Sequence, residues 1–364
     1  MSSDLFHTVL EELRWAILCY LPTADRMRLL RVSRKLHHML ERTLYANVVL
    51  DSRRRAGKFK RFYKKNPALA KRVTCLTVDG SPEYWRMDGR LLKTSKICHG
   101  LEYLDRLREL TLKMPYLPPL HQDSDGAAED NDGFDEPWRK HEEKLESTFA
   151  RATDLFRAPA ERRILPNLTQ LTLETEMVAG QRCPLPGLTI FFIPTLQSLD
   201  IENYDISDCA TWGNGGWDSV HDRQHTALES LSFENCRLND FTLGRILECP
   251  RALRNLSLNN FIPSSRDREL FCWSTKKLST VLKKYQKKSL RRVELYMGQT
   301  ARGRPQLGGT LDLSEMERLE TVRCLRYGAR LPKAKILLGP HVQLSHYECG
   351  ITEWMELEDR LGDD

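Results

Sequence analysis

The sequence lacks the short patterns that most directly mark a catalytic or metal-binding protein. Its ten cysteines include no Cys-x-x-Cys pair, which argues against a ribbon-type zinc site and indicates reduced thiols, not a disulfide framework. No phosphate-binding glycine loop and no nucleophile elbow is present. His341, His346 and Cys349 lie close in sequence, but no fourth metal ligand is apparent. We therefore expect a protein that is not an enzyme and has no catalytic residue, no cofactor and no metal.

Long apolar runs are also missing, since no stretch approaches the length of a membrane-spanning helix. The only candidate for a signal peptide, near the N-terminus, is interrupted by Asp4, Glu11, Glu12 and Arg14. The net charge of +6 is mild, so it neither requires nor excludes nucleic acid. These features predict a soluble intracellular protein of the cytoplasm or nucleus with no membrane partner.

Acidic residues are absent from 53–72, where ten basic residues occur. Phe59, Phe62 and Tyr63 lie among them at helical spacing. One interpretation is a nuclear-import signal or a nucleic-acid patch. The other is an amphipathic linker helix with docked aromatic rings, which Asn66-Pro67 ends. We favour the linker helix, because runs of charge are usually solvated faces, and we do not expect nucleic acid as a partner.

A short apolar pattern then recurs beyond residue 70: an apolar residue, two spacers, an apolar residue, one spacer and a third apolar residue. The triplets are Val73/Leu76/Val78, Leu107/Leu110/Leu112, Leu168/Leu171/Leu173, Leu196/Leu199/Ile201, Leu228/Leu231/Phe233, Leu253/Leu256/Leu258, Leu290/Val293/Leu295 and Leu319/Val322/Cys324. The fifth continues through Cys236 and Leu238 to fit the full leucine-rich-repeat consensus. Because alternate residues of a strand share a face, the triplets predict short parallel strands stacked into a solenoid.

Helices are predicted to return the chain between some of these strands. Asn239 or Asp240 caps one of them, which carries Phe241, Leu243, Ile246 and Leu247. Asp267 opens a longer one that runs through Leu270, Phe271 and Leu278. The spacing of Leu278, Val281, Leu282 and Tyr285 forms a buried stripe, so the neighbouring lysines, including Lys283, are expected in solvent.

Two insertions interrupt the repeats. The acidic segment at about 121–137 is predicted to be a disordered surface loop, and its residue order does not fit a calcium loop. A helix is expected after it, from about Trp138 to Arg157. The second insertion, 211–225, carries Trp212 and Trp217 in a glycine-rich context. These rings are either binding anchors or a lid folded back on the solenoid.

Three short helices are predicted at the N-terminus, within 9–50. The first runs from about Val9 to Tyr20 and ends before Pro22. The second begins near Thr23 as its N-cap, and Ser33 caps a third that ends near Tyr45. The first helix is apolar nearly all round, so it should be covered on all sides. Either the downstream domain or another protein covers its second face, and helical periodicity alone does not choose between them.

This N-terminal stretch resembles the F-box family, whose pattern runs Leu-Pro-x-Glu-Ile-Leu, Ile-Leu, Leu-Pro-x-x-Asp-Leu and Val-Ser/Cys-Arg-x-Trp. The matching residues are Glu12, Leu13, Ile17, Leu18, Leu21, Pro22, Asp25, Leu29, Val32, Ser33 and Arg34. The residues that differ are Leu10, Arg14, Arg26 and Leu36. The continuation Leu44-Tyr45-x-x-Val48-Val49-Leu50 and the segment 66–78 are similar to fungal-type F-box proteins.

The resemblance implies a substrate-recognition subunit of an SCF-type cullin-RING ubiquitin ligase. The F-box would dock on the Skp-family adaptor, and the solenoid would bind an unknown protein substrate. The implied adaptor-binding residues are Leu10, Leu13, Trp15, Ile17, Leu18, Leu21, Pro22, Leu29 and Val32. The alternatives are a leucine-rich-repeat interaction scaffold without ligase assembly, in which the helices only seal the solenoid, and a nucleic-acid-associated protein.

The expected fold class is α/β: a small three-helix N-terminal F-box followed by an irregular leucine-rich-repeat-like solenoid with short parallel strands and return helices. The expected divisions are an F-box-like module at 1–50, a basic linker helix at 51–72, the solenoid at 73–350 and an acidic segment at 351–364.

Overall fold

The computed structural model describes residues 11–51, 53–79, 101, 103–114, 165–175, 183–185, 190–191, 193–206, 226–259, 275–297, 310–327 and 335–349. The predicted acidic loop, the helix expected after it, the 211–225 loop and the C-terminal segment lie outside these residues. So do Leu10 and the start of the helix expected from Asp267.

Three helices open the described chain: α1 (Glu11–Tyr20), α2 (Thr23–Leu29) and α3 (Arg34–Ala46). Ser33 caps α3 as predicted, because its Oγ accepts a hydrogen bond from the Leu36 N–H at 3.1 Å. The expectation that Thr23 caps α2 is wrong. The Pro22 carbonyl accepts from the N–H groups of Asp25 and Arg26, both at 3.0 Å, so Thr23 is already helical and the restricted backbone of proline occupies the cap.

The basic segment forms α4 (Arg53–Lys65), followed by the short α5 (Pro67–Ala70), which confirms a helix that ends at Asn66-Pro67. Phe59 and Tyr63 are buried in the same hydrophobic core as the repeats. Phe62 is 39% exposed and stacks on Tyr45 of α3, with ring centroids 6.3 Å apart. The aromatic side of α4 is therefore docked, while Lys58, Arg61, Lys64 and Lys65 are exposed.

One ten-stranded parallel sheet dominates the fold, which makes the chain an α/β protein with a solenoid-like succession of strands. Its members follow sequence order with short side strands left out. They are β1 (Asn47–Leu50), β2 (Cys75–Asp79), β3 (Glu109–Met114), β4 (Gln170–Thr175), β6 (Ser198–Glu202), β8 (Ser230–Glu234), β9 (Asn255–Asn259), β10 (Arg292–Met297), β12 (Thr321–Tyr327) and β14 (Gln343–Cys349). The fold class predicted from the triplets is thereby confirmed.

The side strands form a second, discontinuous layer. These are β5 (Cys183–Pro184), which pairs with β7 (Tyr204–Asp205), and β11 (Thr310–Leu313), which pairs with β13 (Lys335–Leu338). Two helices belong to the same side of the core: α6 (Asp240–Glu248) and α7 (Thr275–Tyr285). Helix α7 packs against both α6 and β11. Asn239 caps α6 by accepting the Thr242 N–H at 2.8 Å, as predicted.

The repeat triplets build the core. Every residue of all eight triplets is buried, with no side chain more than 8% exposed. The second and third positions align in register from strand to strand, as in Leu199, Leu231 and Leu256. The consensus Cys236 also acts as the repeat requires, because its Sγ donates to the Ile201 carbonyl of the preceding repeat at 3.2 Å.

The turns after β6 and β8 share one backbone conformation and one pattern of hydrogen bonding. Asn203 and Asn235 both have positive φ, at 63° and 49°, a region that asparagine tolerates better than most residues. Their N–H groups donate to the carbonyls of Glu234 and Asn259 in the next repeat, at 2.9 and 2.7 Å. Each turn thus donates a backbone hydrogen bond to the next repeat, and these bonds connect successive repeats.

Phe241 of α6 is 59% exposed, because the helix turns Leu243, Ile246 and Leu247 to the core instead. One side-chain expectation for the second return helix is wrong. Lys283 does not extend freely into solvent. Its Nζ donates to Asp312 at 2.6 Å and to Glu315 at 2.9 Å, since β11 runs beside α7.

Candidate protein-interaction surfaces

The three N-terminal helices, which we call the helical module (residues 11–46), leave a set of large apolar side chains in solvent. The exposed fractions are 55% for Leu13, 48% for Ile17, 90% for Tyr20, 53% for Met27 and 68% for Val32. Leu13, Ile17 and Tyr20 follow i, i+4, i+7 spacing and therefore share one face of α1. Met27 lies on α2, and Val32 lies between α2 and α3. Exposed apolar surface of this kind on a soluble protein typically marks an interaction site. We call this set the apolar face.

The opposite side of the module is closed by the module itself. Leu18 of α1 is 2% exposed and Leu40 of α3 is fully buried. Both lie outside the continuous core that the solenoid forms from Leu50 onward. Helix α1 packs against α3, and no repeat strand forms a comparable contact with it among the described elements. The apolar residues of α1 are therefore divided between an internal contact and open solvent.

The helical module also exposes several basic residues. Arg28, Arg31, Arg34 and Lys35 are all exposed on α2, α3 and the turn between them. Asp25 offsets part of this charge through an ion pair with Arg28 at 3.0 Å, but the pair is largely solvated and contributes little to stability. The helical module thus exposes both apolar side chains and positive charge, which favours a partner that offers apolar surface and acidic residues.

Helix α3 fixes the module to the solenoid. The Thr74 N–H donates to the Ala46 carbonyl at 2.9 Å, which continues α3 directly into the hydrogen bonding of the first repeats. Arg72 forms an ion pair with Glu41 of α3. Burial raises the pKa of the Tyr63 phenol to about 12, with a smaller contribution from Tyr45. The phenol therefore stays neutral in the packed contact between α4 and the core.

The face of the ten-stranded sheet opposite the core, which we call the open face, carries polar side chains in rows. One row aligns Asp79, Lys113, Glu174, Glu202 and Glu234 on five neighbouring strands. Lys113 forms an ion pair with Glu174 at 2.7 Å. The pKa of Glu202 is raised by burial and then by the charges of Glu234 and Glu174. Like charges side by side on adjacent strands are unfavourable. Repulsion among these carboxylates therefore destabilises the folded state.

The other half of the open face holds a groove of about 420 Å³ across β8, β9, β10 and β12. Small polar side chains line its floor, from Ser230, Ser232, Asn255 and Ser257. Its remaining polar lining comes from Arg292, Glu294, Thr321 and Arg323. The open face therefore changes from acidic to mixed in charge along the solenoid.

The implied adaptor-binding residues are distributed unevenly. Leu13, Ile17, Pro22 and Val32 are exposed, Leu21 and Leu29 are half-buried, and Leu18 is buried. The backbone of Trp15 lies in α1, while its side chain and Leu10 fall outside what the structure describes. Sequence reasoning missed Tyr20 and Met27. The spacing of Tyr20 from Leu13 and Ile17 was a usable signal, whereas Met27 carried none.

Within the described part of the chain, no set of three or more His, Cys, Asp or Glu residues is arranged to hold a metal ion. None of the helices found there has both the length and the apolar character needed to cross a membrane.

Comparisons with known proteins add little to these observations. No family model matches the sequence, and no curated protein matches it significantly. Among solved structures, the crystal structure of a TLR13–ssRNA13 complex is similar at 11% identity with a TM-score of 0.36. The similarity covers 80% of this chain but 36% of that chain. A likeness this distant carries no functional argument, and the class of the molecule, a leucine-rich-repeat-like α/β protein, is defined by its own strands and repeats.

Proposed function

We propose that this protein is the substrate receptor of an SCF-type cullin-RING ubiquitin ligase, with the helical module as its F-box. The module docks on the Skp-family adaptor, and the solenoid binds the protein to be ubiquitinated. The chain itself performs no catalytic step in this scheme. Its contribution is to hold the substrate near the ubiquitin-charged enzyme, which raises the local concentration of the reacting groups.

The observation that carries the proposal is the apolar face. Leu13, Ile17 and Val32, three of the residues through which the module resembles an F-box, are exposed. Large apolar side chains in water do not stabilise a monomer. Burial of each one by a partner would contribute about 1.5–3 kcal/mol of binding free energy. The internal packing of Leu18 supports a folded module that keeps this face available.

The geometry between the module and the repeats also supports a receptor. Tyr45 of α3 stacks on Phe62 of α4, and Phe59 of α4 is buried in the solenoid core. Packed side chains of α3 and α4 thus connect the helical module to the repeats. A substrate held on the repeats would then sit at a defined distance from the adaptor.

A second candidate is a repeat scaffold in which the helices only seal the first repeat. The continuity of α3 with the sheet favours it, since Thr74 bonds directly to Ala46 and solenoids need caps at their ends. The two candidates differ in what they predict for the apolar face. A cap has no use for exposed Leu13 and Ile17, whereas an adaptor-binding module depends on them.

Point substitutions test this difference better than deletion of residues 1–50, because that deletion would also remove β1 from the sheet. We expect the full chain to co-elute with a co-expressed Skp-family adaptor in size-exclusion chromatography. Ile17→Asp should weaken the pairing by roughly 30-fold or more, as for a buried interface anchor. The matched control is Phe241→Asp, since Phe241 is also a large exposed apolar residue, at 59% against 48% for Ile17, but lies on the solenoid.

Phe241→Asp should leave co-elution unchanged. Failure of the wild-type chain to pair with the adaptor would favour the scaffold. Equal pairing by Ile17→Asp and the wild type would show that the apolar face is not the adaptor surface.

A further inference from the structure

The floor of the groove on the open face is formed by side chains that are both polar and short. Ser230 and Ser232 lie on β8, and Asn255 and Ser257 lie beside them on β9. Short side chains on two adjacent strands allow another chain to come close to the sheet. Their hydroxyl and amide groups can donate or accept hydrogen bonds without carrying charge.

Arg292 supplies a positive charge to this groove that no described residue pairs with. Its neighbours in register are Asn255 on β9 and Thr321 on β12, both neutral. Arg292 forms no ion pair with any described residue, although the nearby arginines do. Arg254 pairs with Glu229 at 3.0 Å, and Arg291 pairs with Glu320 at 3.4 Å.

The other two charges in the groove offset each other. Glu294 and Arg323 lie directly side by side on β10 and β12, where opposite charges are mutually favourable. Among the described lining residues, the net charge is therefore the single positive charge of Arg292. The acidic row on β4, β6 and β8 repels an anion from the other half of the open face, which leaves this groove as the favoured place for one.

We propose that the groove binds an acidic side chain, a carboxylate or a phosphorylated hydroxyl, of an extended partner peptide, and that Arg292 contacts it directly. The planar guanidinium group presents paired donors that match the oxygens of either anion. Ser232 and Ser257 supply further donors at the floor. Glu294 accepts an N–H from the same peptide, which selects a polypeptide over a free anion. This inference concerns the repeats alone and holds whether or not the module binds an adaptor.

The test uses pools of degenerate peptides that differ only in a fixed central residue, which is phosphoserine, aspartate, serine or lysine. Each pool is passed over the immobilised full-length chain, and the retained fraction is measured. We expect the phosphoserine or aspartate pool to exceed the serine pool by about tenfold, the size of one charge-assisted hydrogen-bonding contact. The ratio between the first two pools tells whether the carboxylate or the phosphate is preferred.

Arg292→Gln should reduce retention of the acidic pools to that of the serine pool. Arg254→Gln is the matched control, because Arg254 is exposed and close by but does not line the groove, and it should retain the preference. Thermal unfolding of both variants verifies that each is folded. No preference for acidic pools, a preference for the lysine pool, or an unchanged preference in Arg292→Gln would each overturn the proposal.

Discussion

The helical module and the solenoid treat their apolar residues in opposite ways. In the solenoid, every triplet residue is buried, because each repeat covers the apolar face of the next. In the module, only Leu18 and Leu40 are buried among the described side chains, while five large apolar residues stand in solvent. The same apolar character thus serves internal cohesion in one region and remains available for a partner in the other.

The largest expected change in the free energy of unfolding comes from truncating a side chain of the repeat core. The same truncation on the apolar face should have a much smaller effect. Phe233 is fully buried and packs near Phe191, with ring centroids 6.4 Å apart. Phe233→Ala should lower the free energy of unfolding by about 3–5 kcal/mol through lost contacts and a residual cavity. Ile17→Ala should change it by about 0.5 kcal/mol or less, since that side chain is already in water. Urea unfolding measures both values.

A similar loss for the two variants would mean that Ile17 is covered within the chain. That result would remove the contrast between the regions.

A second prediction concerns a buried amide that only the solenoid possesses among the described residues. Gln286 is fully buried, and its Nε2 donates to the carbonyls of Leu247 and Pro250, both at 3.0 Å. Its Oε1 accepts the Leu253 N–H at 3.0 Å. Gln286→Ala leaves these backbone groups without partners, so we expect a loss of about 2–3 kcal/mol.

Gln170→Ala is the control for this prediction, because Gln170 is exposed on β4 and should change stability by about 0.5 kcal/mol or less. If both substitutions have the same small effect, then Gln286 does not tie the repeats together.

The smallest expected effect is a pH dependence in the contact between α7 and β11. The hydrogen bond from Lys283 is the main cause that lowers the pKa of Asp312 to about 2. Because the pKa is lower in the folded state, the stabilisation is present above the ordinary carboxyl pKa and is lost as pH falls from about 4 to about 2. Both side chains are partly exposed, so the contribution is at most about 1 kcal/mol.

Lys283→Met should therefore reduce stability near neutral pH and flatten the acid limb of the stability curve. Lys284→Met, which removes the adjacent charge, should not flatten it. An unchanged acid limb in Lys283→Met would show that the pair contributes nothing measurable.

Most strands of the sheet could be predicted from the sequence, because the triplet spacing that marks them is local and repeated. The spacing of each triplet identifies a strand, its buried face and its register with the next. The two end strands were missed for different reasons. Tyr45, Val48 and Leu50 follow the same spacing but lie at the end of the F-box-like stretch. The repeat that contains β14 has polar His341 and His346 where the triplet expects apolar residues.

What could not be predicted depends on contacts between elements distant in sequence. The ion pair of Lys283 with Asp312 spans 29 residues and follows from how β11 runs beside α7. The groove follows from the register of β8 with β12 through two intervening strands, which no single segment reveals. Which side of α1 is buried likewise depends on the position of α3. The sequence of a helix that is apolar nearly all round does not predict which face is turned inward.

Oxidative footprinting of methionine tests the central claim most directly. Met27 is 53% exposed on the apolar face, whereas Met316 is 1% exposed in the solenoid core and serves as the internal reference. The account predicts that Met27 reacts readily in the free chain and becomes protected when the Skp-family adaptor is added, with Met316 slow in both states. Protection of Met27 already in the free chain, or equal reactivity with and without the adaptor, would contradict it.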